Sequence, residues 1–182
     1  MKELLAIISD VDDARLPSMA RALLGLQVEH LRAIETRIAD LDGRLQQQAR
    51  NDEAARRLTA IPGIGPVIAT AMVATVVDAQ IFPSGRSFAA WLGLTPRQHA
   101  TGGRERLLGI SKRGDGYLRR QLMHGARSLV RLAAGRDGRL WTWIDGLVAQ
   151  RPFNVAVAAV ANKLARIIWA MLSRDETYRV PA

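Results

Sequence analysis

The residues best suited to chemistry lie between positions 93 and 127. Arg97, Arg104, Arg106, Lys112, Arg113, Arg119, Arg120 and Arg127 are answered there only by Glu105 and Asp115, a local charge of +6. Glycines at 102, 103, 109, 114 and 116 allow tight turns or close backbone approach. Ser111 stands among them, followed directly by Lys112 and Arg113. A glycine-rich basic loop that feeds an arginine-studded helix suits a phosphate, which wants both backbone amides and guanidinium forks. By residue type alone Ser111 reads as a turn or cap residue. His99 and His124 are the nearby candidates for a proton acceptor, and each also reads as an ordinary surface or core histidine.

A second anion-binding stretch precedes this one. Residues 58–76, LTAIPGIGPVIATAMVATV, resemble a helix-hairpin-helix motif. Pro62 ends one helix and Pro66 suits the first turn of the next. Gly63 and Gly65 let the chain reverse, which leaves free amides at a helix N-terminus to face a nucleic-acid phosphate. Such contacts to the backbone carry little sequence preference. A plain Gly-Pro turn between two core helices fits the same residues.

These stretches need a scaffold, and the expected fold class is all-α. Residues 1–20 read as a short N-terminal remnant or linker. Asp10, Asp12 and Asp13 form a solvated acidic turn there; no metal site is expected, because the glycine and distant glutamate of a calcium loop are missing. Residues 21–57 read as one long coiled-coil-like helix. Leu24, Leu31, Ile38 and Leu45 recur every seven residues, with Ile34 and Leu41 interleaved. About three heptads are marginal alone, so this helix should meet a second copy or another helix. Residues 58–178 read as a compact helical domain: the hairpin at 58–76, a short helix through Phe88 and Trp91 capped by Ser84 or Ser87, the Ser/Arg loop at 95–116, and core helices over 117–172. Gly102-Gly103 is turn chemistry and predicts a short hairpin within that loop. Asp115 caps the helix at 117–134, whose buried side is Leu118, Leu122, Leu129 and Leu132. Trp141 and Ile144 face inward from a helix over 140–150. Asn154 caps a last helix, Val155 to Leu172. Asn162, Lys163 and Arg166 interrupt that apolar run, which makes it a core helix rather than a membrane span.

Bulk composition narrows the partners. The chain has 182 residues and a net charge of +9. Residues 1–60 hold nine basic and ten acidic side chains, whereas residues 61–182 hold seventeen and seven. A polyanion should therefore meet the later two thirds. With no cysteine, disulfides and thiolate chemistry are excluded. No secretory leader is read at the N-terminus, and a cytoplasmic, nucleoid-associated bacterial protein is the expectation.

Four motifs in order carry a family resemblance: IPGIGP at 61–66, FAAWLGLTPRQ at 88–98, TGG with LGISKRGDGYLR at 101–119, and NVA with ANKLARI at 154–167. Together they resemble the C-terminal half of the transposases of insertion sequences 110, 116 and 902, over about residues 22–178. The resemblance implies a partial transposase that binds DNA and uses a serine nucleophile, here Ser111, in DNA transposition and recombination. That serine would attack a phosphodiester and form a phosphoserine intermediate. It implies DNA contacts through Gly63, Gly65, Arg97, Arg104, Arg106, Lys112, Arg113, Arg119, Arg120 and Arg127. It also implies a structured guide RNA, and association of residues 22–57 with another copy or with full-length subunits. No cofactor or metal is expected in this chain. Magnesium is implied only for the family's N-terminal ribonuclease-H-like domain, which the sequence lacks, so the chain alone should not cleave strands. The alternative is a non-catalytic DNA- or RNA-binding module that joins full-length subunits. In either case Arg104, Arg106, Lys112, Arg113, Arg119 and Arg120 should form one basic face around Ser111.

Overall fold

The fold is known from a computed structural model that describes residues 2–10, 13–101 and 104–179. It is mostly helical and divides into two units, Met1–Arg44 and Leu45–Ala182.

The first unit holds α1 (Lys2–Ser9) and most of α2 (Ser18–Asn51). α1 lies within residues 1–20, the stretch expected to be an N-terminal remnant or linker. Arg21 is the reason α1 can stop and turn. Its guanidinium donates to the carbonyls of Ile7 at 2.5 Å, Asp13 at 2.6 Å and Leu16 at 3.2 Å, and also to that of Asp10. Carbonyls at a helix end lack partners within the helix, and a planar cation with five donors can serve several at once. Asp13 is bridged by Arg15, whose guanidinium pulls its carboxyl down to about 2. Asp12 lies outside the described residues. Along α2 the seam residues Leu31, Ile34, Ile38 and Leu41 are all exposed.

The expected continuous helix to residue 57 is broken at Asp52. The Asp52 carboxylate accepts the Ala55 amide at 2.8 Å and starts a new short helix, α3 (Glu53–Leu58). An aspartate that caps its own downstream amide competes with the helix it interrupts.

The second unit is built on α8 (Phe153–Arg174). Val157, Val160, Ala161, Leu164, Ala165, Ile168 and Met171 are buried along it, at the three-and-four spacing of one helix face. Around α8 lie α3, α5 (Gly85–Trp91), α6 (Gly116–Leu132) and α7 (Arg139–Gln150), and α4 (Pro66–Thr75) packs on α3 and α6. The central helix is long and apolar enough to cross a membrane, but its role here is core. It begins at Phe153 with Pro152 in the cap position, ahead of the Asn154 expected to cap it; the Val155 and Ala156 amides both reach the Pro152 carbonyl. Ser84 caps α5, accepting the Ser87 amide at 3.2 Å. Phe88 is wholly buried and stacks on Trp91 with centroids 5.7 Å apart.

Asp115 caps α6 as expected, accepting the Leu118 amide at 2.8 Å. Leu118, Leu122 and Leu129 are buried, but Leu132 is 54% exposed. The helix ends there, and the core side passes to Ala133. Ile144 is buried, while Trp141 is half-buried under Arg136, whose guanidinium lies 4.8 Å from the ring. Between α5 and α6 the chain forms an antiparallel pair, β1 (Pro96–Thr101) and β2 (Arg104–Ile110), the hairpin that the Gly-Gly turn predicts.

Candidate functional site

The β-hairpin returns the chain to the turn after α5, with Pro96 paired to Ile110. Four consecutive carbonyls, residues 92–95, each accept a hydrogen bond, and two of them hold the segment after Ile110. The Leu92 oxygen takes the Arg119 guanidinium at 3.1 Å, and the Gly93 oxygen takes the Lys112 amide at 3.1 Å. The Leu94 oxygen takes the Asn162 side-chain amide at 3.2 Å, and the Thr95 oxygen takes the Ser111 amide at 2.8 Å. Two donors come from the serine turn itself; the other two come from α6 and α8.

Sequence dictates this fit. Gly93 and Gly114 have φ of +72° and +115°, and a Cβ on either would run into backbone: the Arg113 carbonyl in one case, the Trp91 carbonyl in the other. Only glycine meets both demands. Lys112 between them is a non-glycine residue in the left-handed region, φ +56°. Such residues cost about 1–2 kcal/mol and persist only where their surroundings hold them. The Ser111 side chain is therefore offered, half-buried, from a turn whose backbone is tied to the 93–95 strip. Among the described residues nothing bonds to its hydroxyl. Lys112 and Arg113 are exposed beside it, and Arg97 is exposed next to Pro96.

A second feature opens at the start of α4. Gly63 (φ +81°) turns the chain, and its backbone lies directly on Gly125 of α6: a Cβ at 63 would come within 2.8 Å of Leu129, and one at 125 would strike the Gly63 carbonyl. Gly65 is exposed, with open space where a Cβ would be. It occupies the N-cap of α4 with no side chain to satisfy the first amides, and Pro66 follows at the first turn. Gly65, Pro66, Val67 and Ile68 line a cleft of about 400 Å³ whose α6 side carries Gln121, His124, Arg127, Ser128 and Arg131. Helix amides and arginines together make an electropositive pocket for an anion.

The expected site residues thus fall into two groups. Ser111, Lys112, Arg113 and Arg97 gather at the open end of the hairpin; Gly63, Gly65 and Arg127 gather at the α4–α6 cleft. Arg119 is half-buried, and one nitrogen of its guanidinium donates to the Leu92 carbonyl. Arg120 is exposed on α6. The side chains of Arg104, Arg106 and His99 lie outside the described residues. His124 lines the cleft, which Ser111 does not. Sequence reasoning passed over Arg131, whose signal was its four-residue spacing from Arg127, and Gly125, whose small size inside a helix was the sign of a close neighbour. Among the described residues no three His, Asp or Glu side chains gather as a metal site would require.

Fold and site together define a class: a helical protein that fixes a hydroxyl beside cations and keeps helix amides and arginines open to an anion. Comparison with known proteins gives this class a family. Residues 55–139 match the model of the Transposase IS116/IS110/IS902 family. The chain is 48% identical over 176 residues to a "Probable family 20 transposase" of Pseudomonas aeruginosa, covering 97% of this chain and 52% of that protein. It is 43% identical to the "Transposase for insertion sequence element IS1111A" of Coxiella burnetii, over 91% of this chain and 45% of that protein. It is 40% identical to "Putative transposase y4pF/y4sB" of Sinorhizobium fredii, over 92% of this chain and 43% of that protein. The chain belongs to this family. It spans about half the length of the curated relatives it matches.

Proposed function

We propose that this chain is the DNA-binding, serine-bearing portion of an insertion-sequence transposase. DNA phosphates are held at the α4–α6 cleft and along the exposed cations of the serine turn. Ser111 Oγ attacks a phosphodiester. The Oγ–P bond forms as the bond from phosphorus to one sugar oxygen breaks. The hydroxyl proton leaves to solvent or to a base, and the departing sugar oxygen takes up a proton. No oxidant or nucleotide is needed, because the phosphoserine ester conserves the energy of the broken bond for rejoining. Lys112 and Arg113 stabilise charge that grows on the phosphoryl oxygens.

The observation that carries this reading is the turn at Ser111, a strained cationic turn whose Ser111 and Lys112 amides are held by the Thr95 and Gly93 carbonyls. A fixed nucleophile gains most of its advantage from being placed before the substrate arrives. Magnesium, as the family resemblance implies, would be held by acidic residues of an N-terminal ribonuclease-H-like domain. Residues 22–57 join a second copy or a full-length subunit through the seam at Leu31, Ile34, Ile38 and Leu41, whose exposure supports that role. A structured RNA guide is a further partner of the complete assembly, and the working place is the cytoplasm.

The test is Ser111→Ala in the presence of a complementing full-length family subunit and duplex DNA. Strand transfer should fall at least ~10³-fold while DNA affinity stays within about twofold. Unchanged strand transfer would remove Ser111 from the chemistry. A second reading, a non-catalytic module that binds nucleic acid and joins complete subunits, is favoured by a cleft that Ser111 does not line. It predicts unchanged strand transfer together with DNA binding that depends on Arg127 and Arg131.

A further inference from the structure

Asn162 has no assigned task, yet it is a polar residue on the central core helix of the second unit. Its neighbours along α8, Val160, Ala161, Leu164 and Ala165, are buried. Among the described residues its side chain makes one hydrogen bond, from Nδ2 to the Leu94 carbonyl at 3.2 Å. That carbonyl lies between the two oxygens, Gly93 and Thr95, that receive the Lys112 and Ser111 amides. Leu94 is also held from the other side, its amide donating to the Ala89 carbonyl at 2.9 Å. A side chain on the core helix therefore fixes the peptide on which the serine turn rests, 68 residues away in sequence.

We propose that Asn162 is a positioning residue for Ser111: it pins the Leu94 carbonyl, and so the register and tilt of the strip that carries the serine turn. This rests on reading Ser111 as the nucleophile. The physical case is one of geometry. The turn contains a left-handed Lys112 and Gly114, which abuts the Trp91 carbonyl, and Gly93 of the strip abuts Arg113 in return, so the turn has one tight fit and little freedom to drift. The strip beneath it must then be equally fixed. The apolar packing of Leu92 and Leu94 holds their side chains but leaves peptide-plane rotation free, and a directional hydrogen bond removes that freedom. Arg119 does the same at Leu92, although its guanidinium also reaches the Asp115 carbonyl at 3.5 Å. Asn162 has no such second task, which makes it the cleaner probe.

Two variants of the full chain separate positioning from general stability. Asn162→Asp keeps the shape but sets a carboxylate against the carbonyl; Asn162→Leu keeps the size and removes the donor. Amide hydrogen exchange is measured on each beside the parent. Exchange at Ser111 and Lys112 should be about tenfold faster or more in both, with protection in α6 and α8 unchanged. With a complementing subunit, the rate of strand transfer should drop about tenfold while the DNA concentration for half-maximal rate stays within twofold. Folded variants with parental exchange at Ser111 would overturn the proposal. Loss of the whole fold in both variants would overturn it too, because Asn162 would then be a residue of general stability. If Ser111→Ala leaves strand transfer intact, the nucleophile reading fails, and the exchange data still decide whether Asn162 holds the turn.

Discussion

The serine turn and the α4–α6 cleft are both made where glycine lets two backbones touch, but they resolve the contact in opposite ways. At the turn every carbonyl from Leu92 to Thr95 is satisfied, and what is left over is a side-chain hydroxyl. At the cleft the side chain is absent, and what is left over is backbone: the open first amides of α4, beside Arg127 and Arg131. The first arrangement suits a group that must be held still to react. The second suits a group that must be available to bind and release. A chain that needs both a nucleophile and a grip on a polyanion gains from keeping them apart, since the conformational rigidity of one would limit the adaptability of the other.

Glycine replacement sharpens this contrast most. Gly114→Ala should cost about 3 kcal/mol or more in urea unfolding, because the new methyl meets the Trp91 carbonyl at a φ that alanine rarely adopts. Gly65→Ala at the cleft should cost less than about 1 kcal/mol, since there is open space at that position. Equal losses at the two sites would erase the distinction between a locked turn and an open one. Next in size is the double change Arg127→Gln with Arg131→Gln. DNA affinity at moderate salt should fall roughly tenfold, and the salt dependence should shallow by about two phosphate contacts. A uniform loss of affinity with an unaltered salt slope would mean that these arginines act through folding. The smallest effect should come from Lys112→Gly, which relieves the left-handed strain and should raise stability by up to about 1 kcal/mol in thermal unfolding, while slowing strand transfer by removing a cation. A destabilised Lys112→Gly protein would show that the turn is not strained.

Much of this was legible in the sequence because it depends on local chemistry. The caps at Ser84 and Asp115, the Gly-Gly hairpin, the helices over the core and the basic stretch around Ser111 follow from residue type and short spacing. Other features depend on contacts far apart in the chain. That Asn162 would serve Leu94 requires knowing how α8 lies on the α5 turn, and that Arg119 would serve Leu92 requires the same for α6. An arginine just past a glycine-rich loop reads as a phosphate ligand, and only the folded chain shows that one of its nitrogens also serves a carbonyl. The break at Asp52 was hidden for another reason. Heptad spacing runs up to it without warning, and only the capping geometry reveals that the aspartate starts a second helix. Periodicity also marked the seam at Leu31 to Leu41 without saying what covers it.

Whether Ser111 forms the covalent bond to DNA can be read directly. The chain is incubated with a complementing family subunit and nicked or mismatched duplex ends, quenched in denaturant, digested, and mapped by mass spectrometry for nucleotide-bearing peptides. A nucleophilic Ser111 predicts a phosphoester on that residue and its loss, by at least ~10³-fold, in Ser111→Ala. A nucleotide adduct on any other residue of this chain, or one that survives Ser111→Ala, would contradict it.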